Sequence, residues 1–319
     1  MLAFALALAG CGDGTTLPSP SASPSGPGDT WTPLTPMNEA RQEVGVAAVE
    51  GRIYVAGGFR SDGSTASTVE VYDVAAGTWS FAAPMPLALN HCAAVAFSGR
   101  IFVAGGSLPS GAVSAALLEY DPRRNDWQMR SPMPTARTAM VADVLGGRIY
   151  VAGGAPGGTA FEVYDPGSDR WQSLPEMPTA RNHVAGGTVG TRFFAAGGRP
   201  PNTLSVLEAF DTAASGWARL APLPTGRSGH AAAVVRGCIY FFGGEGNAAV
   251  PTGVFAQNEV YDPRTNTWES RAAMRTPRHG IGATVVNGRI FIPGGAILQG
   301  LGATTAFDVY DPPAGKTCE

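Results

Sequence analysis

Eleven residues carry most of the chemistry open to this chain: five arginines, four histidines and two glutamates. The arginines recur four residues past a Met or Leu, as Arg41, Arg137, Arg181, Arg227 and Arg278, while a sixth equivalent position holds Leu89. Gathered at one mouth they would suit an anionic ligand, because guanidinium keeps its charge and pairs bidentately with carboxylates. They could equally tie neighbouring segments together by bonding backbone carbonyls. The histidines, His91, His183, His230 and His279, lie one to three residues beyond those positions. They occupy three different offsets, and no pair has ligand spacing within one element, so neither a metal site nor a cofactor is expected. Glu43, Glu245, His91 and His183 are the candidate proton donors and acceptors. The arginines, with His230 and His279, are the expected ligand-binding set.

These residues recur because the sequence repeats. "GRIYVAGG" at 51–58 returns as "GRIFVAGG" at 99–106 and "GRIYVAGG" at 147–154, and weaker copies end at 198, 244 and 295. Six tryptophans, Trp31, Trp79, Trp127, Trp171, Trp217 and Trp268, each stand 26 residues before the first glycine of a pair. An aromatic followed by Asp precedes five of them by seven residues (Tyr72, Tyr120, Tyr164, Phe210 and Tyr261), and Tyr310 is a sixth with no tryptophan after it. A repeat this regular marks an array of like units. Between Trp and the double glycine lie two apolar β-type runs split by two residues, such as Glu50-Gly51, which predicts a tight hairpin. The segment from the aromatic to the tryptophan predicts another. Each repeat is therefore four antiparallel strands, and such sheets bury their faces by stacking radially. The chain starts with a fourth strand at 31–35 and ends with a third at 306–311, so the N-terminal strand is expected to close the last sheet.

The double glycine, Tyr-Asp and Trp in six registered copies over residues 31–312 resemble the kelch repeat. The resemblance implies an all-β, six-bladed propeller of four-stranded antiparallel blades. Its variable loops, long at 59–68, 245–258 and 296–305, fall on one face together with the arginine-bearing loops, and recognition is expected there. The kelch family includes copper oxidases that use a tyrosyl radical, but all eight tyrosines here already fill repeat positions. It also includes periplasmic six-bladed proteins that epimerise or mutarotate sialic acid. The leading expectation is a ligand-binding or protein-interaction scaffold, and the alternative is a carbohydrate-processing enzyme of that sialic-acid type.

The remaining features place the chain. A net charge of −3 does not suggest nucleic acid as a partner. "MLAFALALAGC" is too short to span a bilayer and reads as a signal peptide over 1–10. Leu8-Ala9-Gly10-Cys11 resembles the lipobox of bacterial lipoproteins, which implies lipidation of Cys11 and membrane attachment through that anchor only. Residues 11–30, rich in Ser, Pro and Gly, form the expected flexible linker, and 31–319 the propeller. The expected protein is thus a monomeric, exported bacterial lipoprotein of the periplasm, outer membrane or cell surface, meeting an envelope protein or glycan. Cys92, Cys238 and Cys318 show no regular framework, so no structural disulfide is expected.

Overall fold

The computed structural model describes residues 28–318. The expected signal segment, Cys11 and all but the last three residues of the expected linker lie outside the described residues. Six four-stranded antiparallel sheets are arranged as the blades of a propeller. In the first blade the strands are Gly45–Val49, Arg52–Ala56, Val69–Asp73 and Thr78–Ala82, in that order from axis to rim. The first strands of all six blades line an axial channel of about 380 Å³. Five of the six two-residue breaks have both residues at positive φ, including Glu50 (49°) and Gly51 (75°), as the primed hairpin turns require.

The core is six wedges, one between each pair of neighbouring blades. Each seam is also stitched by hydrogen bonds from the repeated residues. Every tryptophan indole N–H donates to a carbonyl of the preceding blade, at 2.7–2.9 Å. The second glycine of each pair donates its N–H to the carbonyl of the Arg41-equivalent residue in the next blade, as Gly58 does to Leu89 and Gly244 to Arg278. The first glycine passes close to that same carbonyl. A Cβ on Gly57 would stand 2.2 Å from the oxygen of Leu89, so only glycine fits there.

The ring closes as expected. Thr30–Pro33 pairs antiparallel with Phe307–Asp311, with Trp31 opposite Tyr310. The Trp31 indole reaches Ala272 of the fifth blade. Just ahead of this strand, buried Asp29 accepts hydrogen bonds from the Tyr310 hydroxyl (2.6 Å) and the Ala272 N–H (2.8 Å), which anchors the entry of the chain into the last blade.

The expectation of no disulfide is also overturned: Cys238 and Cys318 are bonded. After the last strand the tail crosses to the hairpin turn of the fifth blade, where the Cys318 N–H donates to Arg236 O at 2.8 Å. The pairing follows the path of the tail, so the repeat register carries no sign of it. Cys92 is a buried free thiol, its pKa pushed up to about 11 by burial.

Candidate functional site at the axial mouth

Two residues past each Arg41-equivalent position the backbone turns left-handed: Glu43, His91, Ala139, His183, Gly229 and Gly280 all have φ between 54° and 61°. Each donates its N–H to the carbonyl of the equivalent residue in the preceding blade, and Glu43 donates back to Gly280, at 2.7–3.1 Å. Six peptide groups therefore form a closed hydrogen-bonded ring around the axis. The left-handed turn belongs to the fold, since glycine and alanine share it. What is particular to this chain is that three of the six positions bear Glu43, His91 and His183.

The arginine mouth does not exist. Arg41, Arg137, Arg181, Arg227 and Arg278 are at most 1% exposed, and none reaches solvent where a ligand could meet it. Each pairs with an acid on the third strand of its own blade: Glu70, Glu162, Glu208, Glu259 and Asp308, at 2.5–3.0 Å. Each also donates to a second-strand carbonyl fourteen residues on, such as Val151 from Arg137 at 3.2 Å. With its charge paired and both terminal nitrogens bonded, each guanidinium is spent inside the blade, and only its buried Nε–H has no hydrogen-bond partner. His230 is likewise corrected. It is buried among the residues just past the ring, with neither ring nitrogen on a protein partner, and burial holds its pKa well below the usual value.

The four acid–base candidates do converge. His91 Nε2 stands 3.4 Å from Glu43 Oε2, and the rings of His91 and His183 meet edge to face with centroids 5.0 Å apart. His279, 1% exposed, places Nδ1 3.6 Å from both Glu43 and Glu245 and is a positioning group rather than a ligand-facing one. The spacing argument against a metal fails for a geometric reason. Blades two and four are not neighbours, but at the axis of a closed ring their loops touch, and the ligating atoms of Glu43, His91 and His183 lie within 4.8 Å of one another.

Sequence reasoning missed three contributors. Arg199 pairs with Glu245, donates to Ser228 Oγ (3.1 Å) and lies 3.1 Å from His183 Nε2. Asn90 and Asn182 each place Oδ1 2.6 Å from Nδ1 of the following histidine. The signal for Arg199 was available: it directly follows a double glycine, as does Glu245, and both positions pair across to the residue preceding the ring.

Burial raises the Glu43 carboxyl, but His91, His279 and His183 around it outweigh burial and hold it well below the carboxylate range. Burial, with His91 and Arg199 beside it, lowers His183 to about 3, so this imidazole is neutral at neutral pH. Burial opposes protonation of His279 too, but the two glutamates prevail and raise it. Above His91 and His183 opens a cavity of about 580 Å³, with Phe59, Leu108 and Pro109 contributing apolar wall and Asn90, Ser107 and Thr138 polar groups.

A six-bladed ring of four-stranded sheets whose seams are stitched by a repeated double glycine and tryptophan is a kelch-type propeller, an architecture suited to interaction with other proteins. The family model described as the KLHDC2/KLHL20/DRC7 Kelch-repeats domain matches residues 43–244, and a Kelch motif matches 226–275. The chain belongs to the Kelch-repeat family. It is similar to Kelch-like protein terF of Aspergillus terreus, 39% identical over 113 residues, covering 35% of this chain and 25% of that protein. Kelch-like ECH-associated protein 1B of Danio rerio is 41% identical over 96 residues, covering 30% of this chain and 16% of that protein. These matches thus span a quarter or less of each relative. Among solved structures, the one titled "Structure of YjhT" superposes with a TM-score of 0.73 at 17% identity, over 86% of this chain and 95% of that one, which shows the shared fold.

Proposed function

We propose that the protein is an exported, lipid-anchored recognition module of a bacterial envelope whose loop face binds a glycan, taking one neutral sugar residue into the cavity above His91 and His183. The observation that carries this reading is the cavity itself. Phe59 and the Leu108-Pro109 wall suit the C–H face of a sugar ring, and Asn90, Ser107 and Thr138 suit its hydroxyls. With all five arginines neutralised inside the blades, a neutral sugar fits better than an anionic one. Export is supported by the Cys238–Cys318 bond, since disulfides persist in oxidising compartments, and by the lipobox-like run ending at Cys11. Attachment through Cys11 is tested by mass spectrometry of the membrane fraction. A diacylglycerol adduct on Cys11 supports the anchor, and an unmodified soluble chain removes it. Sugar binding is tested on a glycan array with the wild type and Phe59→Ala. Loss of retention in the variant supports the reading, and absence of any retained glycan ends it.

A second reading has one observation in its favour: Glu43, Arg199 and Glu245 cluster with His91 and His183, the two that reach the lining of that cavity. Exchange of sugar anomers needs a proton donor and an acceptor flanking the ring, and Arg199 would meet a sugar carboxylate. Proton NMR of sialic acid with the protein decides this. An exchange rate above buffer that disappears in Glu43→Gln or Glu245→Gln supports the enzyme, and a rate equal to buffer rejects it.

A further inference from the structure

We infer that the axial mouth is a binding site for a first-row transition-metal dication of the Zn²⁺ type, held by Glu43 and by the Nε2 atoms of His91 and His183. The site lies on the loop face but does not depend on sugar binding. Three residues from three blades bring their ligating atoms within 4.8 Å. Bonds of about 2.0–2.1 Å to nitrogen and carboxylate oxygen set neighbouring tetrahedral ligands roughly 3.3 Å apart. The 3.4 Å between His91 Nε2 and Glu43 Oε2 already matches that edge.

Each of the two histidines also has an outer partner that fixes its orientation. Asn90 Oδ1 accepts from Nδ1 of His91 and Asn182 Oδ1 from Nδ1 of His183, both at 2.6 Å, which leaves the Nε2 lone pairs directed away from their own loops. His279 flanks the other carboxylate oxygen of Glu43 at 3.6 Å. An imidazole tautomer fixed by an acceptor on its second nitrogen is the usual support of a metal-bound histidine. Beneath the three lies the hydrogen-bonded peptide ring, which holds their backbones in place without any ligand.

A second, independent observation comes from the small cavity of about 80 Å³ that these residues line. His230 also borders it, but the far end of its ring lies against Gly197 in the seam between the fourth and fifth blades, so it is no part of the site. The one contact that a metal would displace is the 3.1 Å approach of Arg199 to His183 Nε2, and Arg199 would keep Glu245 and Ser228. Three protein ligands leave an open position, as in sites where a metal meets an exchangeable ligand.

The test uses the full chain stripped with a chelator, then titrated with Zn²⁺ alone by calorimetry and with Co²⁺ by visible absorption. One ion per chain is expected, with Co²⁺ d–d bands that Zn²⁺ extinguishes. His91→Gln and His183→Gln should each weaken binding by roughly 100-fold or more, and Asn90→Ala and Asn182→Ala by about 10–100-fold. No stoichiometric binding, or unchanged affinity in both histidine variants, would overturn the site. Should a variant fail to fold, histidine-selective NMR of the unsubstituted chain decides. Zn²⁺ must shift the ring nitrogens of His91 and His183, and their indifference to Zn²⁺ overturns it too.

Discussion

Leu89 and Leu118 stand in the second blade where the other five blades place an arginine and its carboxylate. Both are fully buried in one apolar cluster. The pair is therefore replaced as a unit: one blade has exchanged a buried ion pair for two leucines and keeps its four strands. Losing one partner alone would strand a charge in the core, which is far more costly than losing both.

Arg137→Leu and Glu162→Leu should each destabilise the protein by about 3–5 kcal/mol, while the double variant should cost clearly less than their sum. Denaturant unfolding of the four proteins in the cycle measures this. Additive losses would show that the leucine pair of the second blade is tolerated for some other reason.

The Cys238–Cys318 bond closes a loop of 80 residues that ties the tail to the fifth blade. Loop-closure entropy for that length is about 4 kcal/mol. Cys318→Ala should lower the unfolding free energy by a comparable amount and the midpoint with it, and reductant should lower the midpoint of the wild type but not of the variant. Equal midpoints for oxidised and reduced wild type would show that the tail contributes nothing.

Asp143 lines the axial channel, where burial raises its pKa despite hydrogen bonds from the Val144 N–H (2.7 Å) and the Thr188 hydroxyl (3.0 Å). A carboxyl that holds its proton more tightly when folded destabilises the fold as pH rises. The loss begins near the unfolded value of about 3.9 and is complete above the raised folded one. Asp143→Asn should therefore be more stable than wild type at pH 7, and the gap should close toward about pH 3. Thermal melts across this range check the sign. A gap that widens in acid would contradict it.

The fold was legible because each marker of the repeat has a seam to stitch: Trp31 to the fifth blade, Gly58 to Leu89. Spacing therefore reports contacts between blades. The site was legible only in parts. Glu43, Glu245, His91 and His183 stood out by chemical type, but offsets along the chain separate His91 from His183 by two blades, whereas the axis brings them into contact. The arginines were read apart from the acids they bond, 25–32 residues away. The absence of both partners in one blade, at Leu89 and Leu118, was the available clue. The tail disulfide has no counterpart in the repeat and so left no pattern to read.

The cavity above His91 and His183 is the central claim, and glycan-array retention compared across two faces tests it most directly. Phe59→Ala and Asn90→Ala change the cavity wall on the loop face, while Arg123→Ala removes an exposed side chain among the hairpin turns of the opposite face. Retention of a neutral glycan by the wild type and by Arg123→Ala, with loss in both cavity variants, is the predicted result. Retention that survives Phe59→Ala and Asn90→Ala but fails in Arg123→Ala would place recognition on the other face and contradict it.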